Sequence, residues 1–370
     1  MRVLILSSST GAGHDSCAYA IKETFDRHGD VCEVYEIFHF ISKFATAVMT
    51  KGHTAIYRHF PAAFRIGYTH MEKHFDSYNK TKGTLTNRFL ALGAKKLNEY
   101  VKNGGFDTVI CTHPFSTIML AAAISKYDLK VKTAFVATDY TCAPTVSDTG
   151  IDVYFIADSK IVDLFVKYGI DKNKVCPVGI PVKQMFYENL PKDEAKEKAG
   201  VKKESTHLLV MCGSMGCGPI KKILKHISAK IPNNTEITIV CGTNKRLKKS
   251  LSKKYKENTK IHVKGFVKNM SELLDSADLY LTKPGGLSVS ESRQKNLPMV
   301  FIDAVAGCEE YNRNFFVELG AAITSNSVKE LEENCLSLLN NKEELEKMSK
   351  ILSSLNKANV SETIRTTLAE

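Results

Sequence analysis

The sequence predicts an α/β protein built from two Rossmann-like domains, each a parallel sheet covered by helices. Short apolar, β-branched runs alternate with helix-like stretches along most of the chain, which is the rhythm of βαβ units. The rhythm occurs twice, in halves of similar size, with Gly179-Ile180-Pro181 and the charged stretch Lys192 to Ser205 between them. A chain of 370 residues is also long for a single core.

In the first half, Arg2 to Ser7 reads as a buried strand, and a glycine-rich loop leads into a helix over Ser16 to Arg27. Further strands are expected at Val31 to Phe38, Asp107 to Cys111, Thr133 to Ala137, Val153 to Ala157 and Val175 to Val178. The second half repeats the pattern at His207 to Cys212, Glu236 to Cys241, Ile261 to Lys264, Leu279 to Leu281 and Met299 to Phe301. The boundary between the halves falls near Pro181 to Lys192. Two consecutive units of this kind place ligands in a cleft between domains.

Composition is that of an ordinary globular chain, 43% hydrophobic and 25% charged. No apolar run reaches the roughly 18–20 residues needed to cross a bilayer. The run Val3 to Leu6 is too short for a secretory signal, so a cytosolic protein is expected. The ten cysteines form no Cys-x-x-Cys pair, so neither zinc nor a disulfide framework is signalled. The net charge of +11 calls for an acidic partner: nucleic acid, an anionic membrane or a phosphorylated substrate.

One stretch interrupts the βαβ rhythm. From Lys43 to Lys102 there are 11 Lys/Arg against 3 Asp/Glu, interleaved with aromatics that include Phe44, Tyr57, Phe60, Phe64 and Tyr68. Cations mixed with rings suit a membrane headgroup layer, and Lys51, Arg58, Phe60, Phe64 and Arg65 are the candidate contacts. RNA binding by stacking would use the same residue types, and a helical insertion with a plain aromatic core remains a third reading. The other basic run, Lys245 to Lys256, reads as a solvated helix face.

The candidate chemistry sits where strands end. Thr282-Lys283-Pro284-Gly285-Gly286 follows an apolar run, and Leu287 to Glu291 begins a helix, an arrangement that offers backbone N–H groups to an anion. Ser288 and Glu291 also fit a capping box, which would serve stability alone. Beyond the next strand, Gly307-Cys308-Glu309-Glu310-Tyr311-Asn312 offers two acids and an amide for sugar hydroxyls. Gly213-Ser214-Met215-Gly216 is a second candidate donor of amides. The loop Ser7 to His14 lacks the full dinucleotide fingerprint, so no nicotinamide cofactor is supported. His14, at a strand's C-terminal edge, is placed to act as a general base. Asp139, after another strand, can orient His14, be a base itself or cap a turn.

Taken together these motifs resemble the monogalactosyldiacylglycerol synthases and their bacterial relatives, the processive diacylglycerol β-glucosyltransferases. The matching segments are Gly11 to His14, Thr138 to Tyr140, Gly179 to Pro181, Cys241 to Asn244, Gly265 to Val267, and Thr282 to Gly286 with Glu291. The resemblance covers most of the chain. It departs at Cys308, where the family usually has glutamine, and at Cys142 to Val146, where relatives often carry a histidine and a tryptophan.

The resemblance implies a GT-B fold with two sheets facing a central cleft. An acceptor and membrane domain would span 1–183 with residues 43–102 as the insertion, and a UDP-sugar domain 184–352. The C-terminal helix within 353–370 would cross back to the first domain. Phe266 would lie beside uracil and Glu291 at the ribose. The amides around Gly285, Gly286 and Ser288, with Ser214, would hold the diphosphate. Glu309, Glu310 and Asn312 would face the sugar, and His14 would be the base. Gly13, Gly213, Asn244, Lys283, Pro284 and Leu287 belong to the same substrate-binding motifs.

The expected activity is inverting transfer of glucose or galactose from a UDP-sugar to diacylglycerol or a glycolipid. The UDP-sugar is a co-substrate, and neither cofactor nor metal is expected, in keeping with the lack of an obvious Asp-x-Asp pair. The setting would be the inner face of the cell membrane, held peripherally, with an anionic surface as partner and no nucleic acid. Rival functions are transfer of N-acetylglucosamine to a polyprenyl-linked lipid, a UDP-sugar epimerase, and a membrane-docking nucleotide-sugar sensor without catalysis.

Overall fold

A computed structural model describes residues 1–9, 12–49, 52, 84–146, 149–216, 218–302, 307–325, 327–355 and 358–370. The chain divides into two compact units. One comprises Met1–Gln184, Val305–Cys308 and Ala358–Glu370, the other Met185–Ala304 and Glu309–Lys357.

The first unit holds a six-stranded parallel sheet in the order β2-β1-β3-β4-β5-β6. Its strands are β1 (Arg2–Ser7), β2 (Val31–Glu36), β3 (Thr108–Cys111), β4 (Lys132–Val136), β5 (Val153–Ile156) and β6 (Val175–Pro177). Val3, Leu4, Ile5 and Leu6 are fully buried, as expected of a strand that carries helices on both faces. The described helices are α1 (Ala12–Arg27), α2 (Leu85–Ala91), α3 (Ala94–Gly104), α4 (Pro114–Tyr127) and α5 (Val162–Lys167). Strand β2 stops two residues short of the expected Phe38. Glu36 instead caps a short 3₁₀ turn, Ile37–Phe40, that turns Ile37, Phe38 and Phe40 into the core. The expected membrane contacts Lys51, Arg58, Phe60, Phe64 and Arg65 lie outside the described residues.

The second unit opens with α6 (Lys192–Ala199) and holds a second parallel sheet, in the order β12-β11-β10-β7-β8-β9. The strands are β7 (Thr206–Met211), β8 (Thr235–Val240), β9 (Ile261–Lys264), β10 (Leu279–Thr282), β11 (Met299–Phe301) and β12 (Ala322–Thr324). Strand β12 was not expected, because its three residues are too few to show a period. Between the strands run α7 (Ile220–Ile227), α8 (Lys245–Lys254), α9 (Met270–Ser276), α10 (Gly286–Gln294) and α11 (Cys308–Glu318), followed by α12 (Val328–Leu339) and α13 (Lys342–Ser353). Leu208, Val210, Ile237, Ile239, Leu279 and Leu281 form the middle of its core.

The last helix, α14 (Val360–Ala369), belongs to the first unit. Asn359 caps it, and Glu362 pairs with Arg27 at 2.7 Å and His28 at 2.8 Å. Asp30 accepts from Arg365 at 2.6 Å and from the Met1 amine at 2.7 Å. Burial alone would raise the Asp30 carboxyl, but these bonds hold it below its ordinary range. Among the described residues, no helix is long and apolar enough to cross a membrane.

His207, on β7, bonds Thr238 at 2.8 Å and Ser276 at 3.0 Å. Burial pushes its imidazole down to about 4 from 6.5. The unfolded chain therefore takes up this proton first as pH falls, so the stability is complete above the unfolded value and drains away between 6.5 and about 4. Thermal unfolding of this unit shifts to lower temperature across that window. His207→Gln, which takes up no proton, flattens the dependence; an unchanged slope in that variant would assign it to other groups.

Candidate functional site

Because all six strands of the second sheet are parallel, the turns after them leave one edge. The chain runs outward from β7 through β8 to β9, then restarts at β10 on the other side of β7. Met211 and Thr282 are register partners across that reversal, so the loops after β7 and β10 diverge from adjacent strand ends. In open α/β sheets such a switch point is where ligands bind.

The loops at this edge brace one another. A Cβ on Gly242 would lie 2.0 Å from the Ser214 carbonyl oxygen, and one on Gly216 would lie 2.3 Å from that of Cys241. Both glycines have φ of +56°, so neither tolerates a side chain in conformation or in space. Thr243 N donates to the Ser214 carbonyl at 2.9 Å, and Asn244 Nδ2 to the Gly216 carbonyl at 3.2 Å. Asn244 Oδ1 accepts from Leu247 N at 2.9 Å and caps α8. Asn244 thus ties the Ser214 loop to the start of α8.

Helix α10 starts at Gly286 with Gly285 as its N-cap, and no side chain caps it. This corrects the capping-box expectation, because Ser288 is the third residue inside the helix. The amides of Gly286, Leu287 and Ser288 precede the first intrahelical bond, from Val289 N to the Gly285 carbonyl. An open helix start with its positive dipole end suits a diphosphate. Lys283 adds a cation here, since its Cε lies 3.7 Å from where a Cβ on Gly218 would stand. The Pro284 carbonyl accepts from Asn312 Nδ2 at 3.0 Å. Asn312 is fully buried, so it braces this loop rather than offering its amide at the surface.

Glu309 and Glu310 occupy the first turn of α11, and Glu309 Oε1 lies 4.0 Å from a Cβ built on Gly285. Glu291 is half-buried. Burial raises the Tyr280 hydroxyl beneath this loop, and the Glu291 charge adds to the effect. Phe266, 65% exposed, presents an open aromatic face on the turn after β9. The structure therefore brings Ser214, Lys283 to Ser288, Glu309 and Phe266 to one sheet edge.

In the first unit the order changes direction at β1, and the residues after β1, β3 and β4 meet there. His14 lies in the first turn of α1, which begins four residues earlier than expected. Its Nδ1 is 2.7 Å from the Thr112 carbonyl and 3.1 Å from Thr138 Oγ1. A carbonyl only accepts, so Nδ1 carries the proton and the lone pair is on Nε2, the tautomer a general base needs. Thr138 Oγ1 in turn donates to Asp139 Oδ2 at 3.4 Å. Asp139 thus reaches His14 through a hydroxyl and adds to the burial that raises the Cys17 thiol one turn along α1. Gly13, beside His14, is half-buried.

Residues absent from the sequence reading complete this site. Asp15 accepts from Ser7 Oγ at 2.6 Å and Ser9 Oγ at 2.9 Å, fixing the start of the loop. His113 packs edge-on against His14 with ring centroids 4.4 Å apart, and its Nδ1 accepts from Phe115 N at 3.0 Å. A polar residue followed by proline after a strand is a helix-start signal, so His113 was visible as a cap but not as a neighbour of His14. Among the described residues, no group of three or more His, Cys, Asp or Glu is arranged to hold a metal ion.

Residues 14–182 match the family model for monogalactosyldiacylglycerol (MGDG) synthase. Residues 207–364 match that for the glycosyltransferase family 28 C-terminal domain. The processive diacylglycerol beta-glucosyltransferase of Bacillus subtilis (strain 168) is 30% identical over 370 residues, covering 98% of this chain and 93% of the relative. That of Bacillus licheniformis is 29% identical over 375 residues, covering 100% and 94%. Among solved structures, MurG of Acinetobacter baumannii superposes with a TM-score of 0.66 at 14% identity, covering 100% of this chain and 99% of MurG. Anabaena HepE in complex with UDP gives 0.60 at 13% identity, with 100% of both chains covered. Likeness at such low identity establishes the fold class, GT-B, and nothing finer.

Proposed function

The chain belongs to the monogalactosyldiacylglycerol synthase and processive diacylglycerol β-glucosyltransferase family, and from that premise we propose that it is an inverting transferase moving a hexose from a UDP-sugar to diacylglycerol or a glycolipid. The observation that carries the reading is the uncapped start of α10 beside Lys283, in a chain that matches such transferases along its whole length. Glucose is favoured over galactose because the full-length relatives are named for glucose transfer.

In this scheme the second unit binds the donor. Phe266 stacks on uracil, Glu291 takes the ribose hydroxyls, and Glu309 and Glu310 take the sugar hydroxyls. The amides of Gly286 to Ser288, with Ser214 and Lys283, hold the diphosphate. These donors face the charge that grows on UDP as the glycosidic bond breaks, so the leaving group needs no cofactor. His14 Nε2 takes the proton of the acceptor hydroxyl as its oxygen attacks the anomeric carbon from the side opposite UDP, which inverts the configuration there. The Thr112 carbonyl and the Thr138–Asp139 pair hold the imidazole and stabilise it once it is protonated.

The test supplies radiolabelled UDP-glucose, UDP-galactose and UDP-N-acetylglucosamine to purified protein with detergent-dispersed diacylglycerol. Lipid-extractable label from one of the first two is the expected result. Label that enters only a polyprenyl phosphate from UDP-N-acetylglucosamine, or UDP binding without any transfer, would overturn the reading.

A further inference from the structure

Helices α7 and α8 carry charge unlike any other described surface of the protein. Nine of their eighteen residues are Lys or Arg, and none is Asp or Glu. The two helices cover one core and meet at their C-terminal ends. Leu224, Ile227, Leu247 and Leu251 share one core cluster, and Tyr255 Oη lies 3.2 Å from Ser228 Oγ. Their apolar positions all face inward, which leaves Lys221, Lys222, Lys225, Lys245, Arg246, Lys248, Lys249, Lys253 and Lys254 exposed.

On several other helices surface lysines are matched by acids. Lys198 pairs with Glu194, Lys329 with Glu333 and Lys342 with Glu346, each one helical turn apart. On α7 and α8, Lys221/Lys225, Lys245/Lys249 and Lys249/Lys253 are like-charge pairs at that same spacing, which destabilises a helix. Among the described residues, none of the nine cations forms an ion pair. A solvated face built for stability alone would interleave acids, as α13 does.

We propose that the α7–α8 face of the second unit is an electrostatic docking surface for an anionic lipid bilayer. Charge complementarity supports an anionic partner, and two details favour a bilayer over nucleic acid. Eight of the nine cations are lysines, which act as diffuse point charges, whereas base and phosphate recognition favours the arginine fork. No Phe, Tyr or Trp is exposed on either helix, and the exposed ring of His226 is held by Glu332, 3.2 Å from its Nδ1, so bases have no large free ring to stack on. The inference deepens the reading of a lipid acceptor, yet transfer to detergent-dispersed diacylglycerol proceeds without a bilayer, so the two fail separately.

The test uses the full chain and vesicles of phosphatidylcholine with or without one quarter phosphatidylglycerol. Lys225→Glu, Lys249→Glu and Lys253→Glu, combined, weaken binding to the anionic vesicles about a hundredfold at low salt. The control Lys342→Glu, Lys347→Glu and Lys350→Glu changes the net charge equally on α13 and leaves binding close to wild type. Equal losses in both variants, unchanged binding in the first, or equal binding of wild type to neutral vesicles would each overturn the proposal. Tighter wild-type binding to a single-stranded polynucleotide than to anionic vesicles, lost in the first variant, would also overturn it.

Discussion

Replacing His14 by alanine lowers kcat/KM for hexose transfer by on the order of a thousandfold and leaves UDP affinity unchanged. The size follows from the role assigned to Nε2. Without a base, the acceptor hydroxyl attacks with its proton still in place, and that step bears the whole loss. The tautomer makes the expectation sharper, because the Thr112 carbonyl at 2.7 Å keeps the proton on Nδ1. Thr138→Val removes the hydroxyl that links His14 to Asp139 but leaves that carbonyl, so it costs about tenfold and rescues nothing at high pH. In the proposed scheme the second unit binds the donor, so UDP affinity stays constant in both variants, as isothermal titration with UDP would show. A fully active His14→Ala enzyme would remove the histidine as base and leave Asp139 as the candidate.

Gly242→Ala is expected to destabilise the second unit by about 2–4 kcal/mol and to lower kcat/KM about a hundredfold. Part of the effect is conformational, since φ at Gly242 is +56°. The larger part is steric. The new methyl would lie 2.0 Å from the Ser214 carbonyl oxygen, a main-chain atom that yields only if the whole Ser214 loop moves. Gly213→Ala separates the two causes, because φ there is also positive, at +68°, but no atom lies within 4 Å of the added carbon. Gly213→Ala should therefore cost only about 1 kcal/mol and keep most activity. Similar unfolding shifts and similar kinetics in the two variants would show that the Ser214 loop is not held by this contact.

Much of the architecture was legible because it rests on local pattern. Buried parallel strands need continuous apolar runs, and Val3 to Leu6 or Leu208 to Val210 show them directly. The turn residues after those strands marked the candidate sites, because ligands of open parallel sheets bind at the strand ends. The misses have local causes too. Strand β12 has three residues, and β2 ends early because Glu36 finds a nearby amide to cap. The capping box at Ser288 and Glu291 failed for a different reason. Its spacing was correct, but where a helix starts depends on backbone bonds that sequence spacing does not encode. Here that start falls at Gly286.

The sequence by itself determined two parallel α/β units, the strand ends that carry His14, Ser214 and the Lys283 to Glu291 stretch, and the family they resemble. Those follow from hydrophobic periodicity and glycine placement, which are properties of short segments. Only the tertiary structure decided what those residues do to one another. Thr112 lies 98 positions from His14 in the chain, yet its carbonyl sets which nitrogen of that ring carries the proton. Asn312 and Asn244, read from sequence as ligand contacts, bond main-chain carbonyls of neighbouring loops 28 residues away. A hydrogen bond across such distances depends on how strands are ordered in a sheet, and that order is fixed by packing the whole unit.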